Sequence, residues 1–257
     1  MTAQDYMAKF GHSFRIYNHC TDKNGILRVK TLCDLLNDVA EMHTIIQHAD
    51  VATLNKGGHT WMLRRMHLCM PDMPSQGRNV CVETWNPEVD GLLVPRLYKV
   101  SDEKDGLLRA FAYTDWMMVN LHTMRPDRPT EAMKAISGLC SEQLPPASPL
   151  LGPMERKTGF RPDATWSDPF PCRAVYSDID FNGHLTQSSY IQRMIDAHGA
   201  AFLDTRRIKE MEVVYAREIK PDAGFLVRFK QEGASVSYVV TDSCQTSLHA
   251  WARAVWA

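Results

Sequence analysis

The sequence predicts an α+β protein made of two similar modules, each an antiparallel sheet with one long helix. Three observations support this prediction. The pattern Asp-x-Asn-Gly occurs twice, at 22–25 and at 180–183, and a strand-like run precedes each copy. A segment with helical periodicity follows each turn, and four extended runs follow each helical segment. The 257 residues are enough for one large domain or two small ones.

The first module begins with the strand-like run HSFRIYNH, which leads into the turn DKNG. A helix is predicted from Val29 to about Asp50, because apolar residues recur there at spacings of three and four. The extended runs that follow are predicted to be strands. They read HTWMLRRMHLCM, RNVCVETWNP, LLVPRLYKVSD and LLRAFAYTDWMMVNLH.

The second module repeats this order with the strand FPCRAVYS and the turn DFNG. A helix is predicted over TQSSYIQRMIDAHGAAFL, with its apolar residues on one side. Judged by the distance from each turn to the next Pro-Asp, the helical region of the first module is about two helical turns longer. The predicted strands of the second module read MEVVYAREI, GFLVRFKQEG, VSYVVTDS and LHAWARAVWA.

A helix with one wide apolar stripe must be buried against the sheet that follows it. A sheet curled around a central helix is the hot-dog arrangement, so the sequence predicts a tandem hot-dog. The N-terminal hot-dog is predicted at 1–124 and the C-terminal one at 168–257. The stretch between them, 125–167, is rich in Pro, Gly and Ser and is predicted to be a surface linker with one short helix near TEAMKAI.

Composition and motifs exclude several classes of function. A formal net charge of -1 argues against a nucleic-acid partner. No apolar run approaches the roughly 18 residues that a membrane span needs, and the first residues lack the order of a signal peptide. The seven cysteines show no CxxC spacing, which is typical of reduced thiols in a cytoplasmic protein. Without GxGxxG, P-loop, GxSxG or metal-ligand spacing, the sequence predicts neither cofactor nor metal.

Features that occur in both modules are expected to serve the fold. Asp180 and Asn182 have counterparts in Asp22 and Asn24. Such residues stabilise turns and cap helices, and the glycine that follows allows a positive φ. The residues alone therefore favour a structural role for Asp180 and Asn182, and leave a functional one open.

Features that occur in one module alone need another explanation. His184 stands where the first module has Ile26, so the turn itself does not require an imidazole. When the modules are aligned on their Pro-Asp pairs, Glu218 stands where the first module has Leu68. Two replacements of an apolar residue by an ionisable one, close together in the predicted fold, indicate a site. The alternative for Glu218 is an ion pair with a neighbouring basic residue, which leaves its apolar counterpart unexplained.

The segment SDIDFNGHLTQSSYIQRMID resembles the SDxDxNxHxNNxxYxxW segment of acyl-acyl carrier protein thioesterases, which release fatty acids from the carrier. Three runs earlier in the chain also match that family and occur in its order: FRIYNHCTDKNGILRVKTLCDLLNDVAEMH, VCVETW and TDWMMVNLHTMRP. The resemblance covers nearly the whole chain and implies a tandem hot-dog. It places the family's catalytic set on Asp180, Asn182, His184 and Glu218.

The chain departs from the family's pattern at several positions. One scheme for plant members puts a nucleophilic Cys directly after the Glu, but this chain has Ile219 there, which favours a carboxylate scheme. Thr186 and Gln187 replace an Asn pair that is frequent in the family. The absence of a recognisable transit segment suggests a bacterial relative of the plant enzymes.

The resemblance implies hydrolysis of fatty acyl-acyl carrier protein in fatty acid biosynthesis, with acyl carrier protein as the partner. In the mechanism we expect, Glu218 acts as general base to a water and His184 shares the proton transfer. Asn182 holds the water or substrate, Asp180 orients its neighbours, and N–H groups at Gly183 and the helix start stabilise the oxyanion. The first module is expected to pack the acyl chain and to carry no catalytic groups.

Other functions stay open at this point. A CoA thioesterase would use the same fold and differ in the carrier of the acyl group. A hot-dog dehydratase would need a differently placed His and acid. A non-catalytic module that binds acyl chains belongs to another class, and the sequence leaves open whether the protein is a homodimer. Chain length, branching preference and a direct attack by Glu218 on the thioester are not decided by the residues.

Overall fold

The protein, represented by a computed structural model, is described over residues 7–151 and 163–257. It divides into two compact units, Met1–Ala147 and Ser148–Ala257, which are the first and second modules. The two units follow the order of the two modules predicted from the sequence.

The first module contains one antiparallel sheet and one long helix. Its elements are β1 (Lys9–Arg15), α1 (Val29–Ile46), α2 (Val51–Lys56), β2 (His59–Cys69), β3 (Asn79–Trp85), β4 (Leu93–Asp102), β5 (Leu108–Asn120), β6 (Arg125–Asp127) and α3 (Glu131–Ile136). The strands lie in the order β1-β3-β4-β5-β2, and β6 pairs with β5. Helix α1 packs against β1 and β3. Its buried side chains recur every three or four residues, from Leu32 and Leu36 to Val39 and His43, so one stripe faces the sheet.

The second module repeats this topology. Its elements are β7 (Phe170–Arg173), α4 (Gln187–Asp196), α5 (Ala200–Thr205), β8 (Ile208–Tyr215), β9 (Gly224–Glu232), β10 (Ser235–Asp242) and β11 (Leu248–Trp256). The strand order β7-β9-β10-β11-β8 matches that of the first module position by position. Helix α4 packs against β9 and β10, and buries Tyr190, Ile191 and Met194. The predicted repeat is therefore present in the fold.

Both helices are shorter than predicted. The first stops at Ile46, and Asp50 caps a separate helix, since its carboxylate accepts a hydrogen bond from the Thr53 N–H at 3.0 Å. The second breaks at Gly199, whose φ of 73° lies in the region that favours glycine, so α4 and α5 are separate. The prediction of a longer first helix is confirmed, with 18 residues in α1 and 10 in α4.

The predicted linker 125–167 carries structure that belongs to the modules at its two ends. The short helix predicted there is present as α3. In the first module, Trp85 donates its indole N–H to the carbonyl of Glu142 at 3.2 Å, and Lys99 forms an ion pair with the Glu142 carboxylate. In the second module, the Ser167 N–H donates to the Phe229 carbonyl at 2.8 Å. These contacts explain why the compact units divide between residues 147 and 148 rather than at 124. Residues 152–162 of the predicted linker lie outside the described residues.

The cysteines form no disulfide in the described structure, and Cys20, Cys33 and Cys69 are buried. Burial raises the pKa of the Cys33 thiol well above its usual range, so this thiol stays neutral in the core. Among residues 7–151 and 163–257, every helix is too short or too polar to cross a bilayer.

Candidate active site

The turn that carries His184 is built by the Asp180 carboxylate. Its Oδ1 accepts hydrogen bonds from the backbone N–H groups of Asn182 at 2.9 Å and of His184 at 3.1 Å. The Asp180 N–H in turn donates to the His184 carbonyl at 2.8 Å. Gly183 has a φ of 77°, a conformation that costs glycine little. Asp180 therefore fixes the backbone from which the imidazole projects.

The first module builds the same turn with the same bonds. Oδ1 of Asp22 accepts from the N–H groups of Asn24 at 2.8 Å and of Ile26 at 3.0 Å. The Asp22 N–H donates to the Ile26 carbonyl at 2.8 Å, and Gly25 has a φ of 74°. Because every bond uses the Asp carboxylate or the backbone, the turn accepts either His or Ile at its last position.

His184 meets a carboxylate across the site. Nε2 of His184 lies 3.0 Å from Oε2 of Glu218, and the two side chains are 27% and 31% exposed. Both groups are thus within reach of a substrate and partly shielded from water, which strengthens their interaction. The other oxygen of Glu218 lies 3.5 Å from Nζ of Lys220, whose side chain is 71% exposed. Glu218 therefore contacts both His184 and, at a longer distance, the basic side chain of Lys220.

The position of Glu218 differs from the sequence-based prediction. Strand β8 ends at Tyr215, so Glu218 lies in the segment between β8 and β9. Its alignment with Leu68 was wrong, because Leu68 is fully buried inside β2 and pairs with Ala112. Strand alternation therefore does not relate the two residues.

Backbone hydrogen bonds give the correct counterpart. The Leu185 N–H donates to the Ile219 carbonyl at 2.9 Å, and the equivalent Leu27 N–H donates to the Pro74 carbonyl at 2.9 Å. Ile219 thus corresponds to Pro74, and the preceding residue Glu218 corresponds to Met73. The second module thus still has two ionisable residues, His184 and Glu218, where the first has apolar ones, because Ile26 and Met73 are both apolar.

Asn182 is exposed at the tip of the turn, and its backbone N–H donates to the Asp180 carboxylate. The Gly183 N–H, which the sequence offered as an oxyanion donor, already donates to the Asp180 carbonyl at 3.0 Å. At the start of α4 the Ser189 N–H donates to the Thr186 carbonyl at 3.0 Å, while the N–H groups of Gln187 and Ser188 stand at positions that have no acceptor within a helix.

Sequence reasoning missed an ion pair that fixes the start of α4. Asp178 is buried, and its Oδ2 lies 2.6 Å from the guanidinium of Arg193. The Thr186 N–H donates to the Asp178 carbonyl at 2.8 Å. The counterparts in the first module are Cys20 and Leu35, so a comparison of the two modules could have revealed this pair.

The His184–Glu218 pair offers two ligand atoms, fewer than the three or four protein ligands of a typical zinc site. A separate pocket of about 240 Å³, counting its open mouth, lies within the first module. The buried guanidinium of Arg96 is part of its wall, next to Trp61 and Met133. This polar group makes the pocket unlike a purely apolar tunnel for an acyl chain.

Comparison with known proteins connects this geometry to one family. The model of the acyl-ACP thioesterase N-terminal domain matches residues 7–136, and that of the C-terminal domain matches residues 163–254. A curated relative, oleoyl-acyl carrier protein thioesterase 2, chloroplastic, from Arabidopsis thaliana, is 26% identical over 219 residues. The match covers 77% of this chain and 56% of that protein, so the chain spans less than two thirds of its length.

Two solved structures share the whole fold. The crystal structure of an acyl-ACP thioesterase from Bacteroides thetaiotaomicron superposes with a TM-score of 0.83 at 24% identity, and covers 100% of both chains. The 12:0-ACP thioesterase from Umbellularia californica superposes with a TM-score of 0.82 at 18% identity, and covers 97% of each chain. These likenesses confirm the predicted tandem hot-dog. On the evidence of both family models, the chain belongs to the acyl-ACP thioesterase family.

Proposed function

We propose that this protein hydrolyses the thioester of fatty acyl chains carried on acyl carrier protein, and releases free fatty acid for lipid synthesis. The observation that carries the proposal is the 3.0 Å contact between Nε2 of His184 and Oε2 of Glu218. An imidazole and a carboxylate in contact, at a partly exposed position, provide the acid–base pair that hydrolysis requires. The names of the relatives supply the substrate class.

In the proposed mechanism Glu218 removes a proton from a water molecule as that water attacks the thioester carbonyl carbon. The tetrahedral intermediate then loses the carrier thiolate as the C–S bond breaks, and the thiolate receives a proton from the site. His184 donates its Nε2–H to the Glu218 carboxylate and shares in this proton transfer. One water is consumed, and the products are a fatty acid and the free thiol of the carrier.

The oxyanion of the intermediate needs hydrogen-bond donors that are already oriented. We assign this role to the N-terminus of α4, where the helix dipole adds partial positive charge. The Gly183 N–H is excluded from it by its bond to the Asp180 carbonyl. Asp180 acts as a positioning residue, because its carboxylate holds the backbone of His184. Asn182, exposed beside the pair, is proposed to hold the water or the substrate.

The two modules are proposed to have different tasks. The second carries the acid–base pair, while the first has Ile26 and Met73 at the corresponding positions and is proposed to pack the acyl chain. The cytoplasmic location suggested by the cysteines stays a prediction, as does the absence of nucleic-acid and membrane partners, and the possible homodimer stays open. The Arabidopsis relative is named as chloroplastic.

The experiment is to measure thioester hydrolysis by the purified protein on matched acyl-carrier and acyl-CoA substrates of several chain lengths. We expect turnover on the carrier substrates, and a loss of about 100-fold or more in Glu218→Gln, because the base is removed. Glu232→Gln is the control, since Glu232 also pairs with a lysine and lies away from the site on β9.

Three outcomes contradict the proposal. Faster turnover on the CoA series identifies a CoA thioesterase. Binding of acyl chains without turnover identifies a non-catalytic module. Normal turnover in Glu218→Gln removes Glu218 from the chemistry.

A further inference from the structure

A buried phenol lies directly behind the catalytic carboxylate proposed above. Tyr190 projects from α4 and is 3% exposed. Its hydroxyl donates to the backbone carbonyl of Arg217 at 3.1 Å, one residue before Glu218. A helix that begins just after the His184 turn is thereby bonded to the segment that carries Glu218.

The segment around Glu218 follows the end of β8 at Tyr215. Its neighbours are held at two sides. The Leu185 N–H donates to the Ile219 carbonyl at 2.9 Å, and the His249 carbonyl accepts from the Arg217 N–H at 3.1 Å. The Arg217 carbonyl itself receives the Tyr190 hydroxyl at 3.1 Å, while Nδ1 of His249 lies farther from it, at 3.4 Å.

Comparison of the modules shows that burial alone does not explain this hydroxyl. The residue of α1 that corresponds to Tyr190 is Leu32, which is also fully buried. A helix in this position therefore needs an apolar side chain and no phenol. Like His184 and Glu218, Tyr190 brings a polar group to a position at which the first module has an apolar residue.

We propose that Tyr190 is a positioning residue that holds Glu218 against His184 through the Arg217 carbonyl. Burial raises the pKa of the phenol above its usual range, and the nearby Glu218 and Asp180 carboxylates act in the same direction. The hydroxyl consequently stays protonated and remains a donor across the pH range in which the site works. This role rests on the proposed hydrolysis, and it adds a residue that positions the base without contacting the substrate.

The test replaces the hydroxyl and keeps the ring. In Tyr190→Phe we expect kcat to fall about 10-fold or more with KM within twofold, because the base is displaced while the substrate surface is unchanged. A merely structural role would lower the midpoint of urea unfolding and leave the kcat of the folded protein unchanged.

Tyr238→Phe is the matched control. Tyr238 is equally buried in the same module, and its hydroxyl contacts His198 in the turn between α4 and α5 and Trp256 on β11, neither of which belongs to the site. We expect it to lower the midpoint of urea unfolding and to leave kcat within twofold. Tyr190→Leu, which introduces the residue of the first module, is measured beside Tyr190→Phe so that a folded variant is available.

The outcomes separate the two proposals. Turnover that persists in Glu218→Gln overturns the hydrolysis mechanism, and the role of Tyr190 falls with it. If Glu218→Gln is inactive but Tyr190→Phe keeps the wild-type kcat, the role of Tyr190 alone is overturned. A fall in kcat that the fraction of unfolded protein accounts for assigns the hydroxyl to stability and likewise overturns the proposal.

Discussion

Nε2 of His184 and Oε2 of Glu218 lie 3.0 Å apart although 33 residues of other structure, including α4 and β8, separate them in the chain. The imidazole is fixed by a turn that the first module also contains, whereas the carboxylate is fixed by the backbone bonds of the segment after β8. The pair is therefore local to the second module, and substitutions can test each side of it separately.

Replacement of the imidazole by the residue of the first module should remove activity and keep the fold. We expect His184→Ile to reduce hydrolysis about 100-fold or more, since the partner of the base is lost. The free energy of unfolding should change by less than about 0.5 kcal/mol, because the turn is held by backbone bonds. Steady-state kinetics and urea unfolding on one preparation provide both values. Turnover within threefold of the wild type would show that the imidazole is dispensable.

The two aspartates of the repeated turn provide an internal control. Each carboxylate accepts two backbone N–H groups, so Asp180→Ala and Asp22→Ala should each cost about 1–2 kcal/mol of unfolding free energy. Only Asp180→Ala should also lower kcat, because only that turn carries the imidazole. Equal losses of activity in the two variants would contradict a positioning role that is specific to Asp180.

Stability of the second module should depend on His198. The Trp256 indole donates to the Tyr238 hydroxyl at 3.0 Å, and this hydroxyl can therefore donate its own proton to Nε2 of His198 at 2.7 Å. Burial lowers the pKa of His198 to about 4, so the folded protein favours the neutral imidazole. The unfolded chain then binds more protons than the folded one between pH 6.5 and about 4, and stability falls as the pH decreases through this window.

The size of this effect can be measured against a variant that does not titrate. From about pH 7.5 to about pH 5 we expect the wild type to lose about 1–2 kcal/mol more unfolding free energy than His198→Gln. Urea unfolding at the two pH values gives the difference. Parallel losses in both proteins would mean that His198 takes up its proton as readily when folded as when unfolded.

Direct attack of water distinguishes the proposed mechanism from a covalent one. With labelled acyl substrate and rapid quenching, we expect no acyl group on the protein during the first turnover, because Glu218 acts as base. In isotopically labelled water, the heavy oxygen should enter the fatty acid and not the Glu218 carboxylate. A burst of acyl-enzyme, or label in a peptide that contains Glu218, would establish Glu218 as the nucleophile.

Much of the architecture could be predicted because it is written twice. The Asp-x-Asn-Gly turns at 22–25 and 180–183 mark the start of each module, and the strand order of the first sheet recurs in the second. The break at Gly199 was missed because a single glycine does not interrupt the apolar periodicity of a helix. The boundary at 124 was missed because the Trp85–Glu142 contact joins residues that are far apart in sequence.

The sequence located the imidazole of the site correctly but aligned its carboxylate with the wrong residue of the first module. His184 could be found because its turn aligns without a gap, so its counterpart Ile26 is unambiguous. Glu218 was compared with Leu68 because matching Pro-Asp pairs suggested one register, whereas the backbone bonds of Leu185 and Leu27 define another. The hydrogen bond of Tyr190 could not be predicted, since helical periodicity reports burial and not the carbonyl that a buried hydroxyl reaches.

The duplicated turn also bears on the ancestry of the chain. Each Asp holds its turn through the backbone N–H of the residue four positions later, which is Ile26 or His184. The side chain at that position could therefore change without loss of the fold. After duplication, one descendant half could drift to isoleucine while its sibling retained histidine, with neither half losing its shape. A lineage that started from two equivalent halves could in this way reach the present asymmetry through single substitutions, each compatible with a folded intermediate.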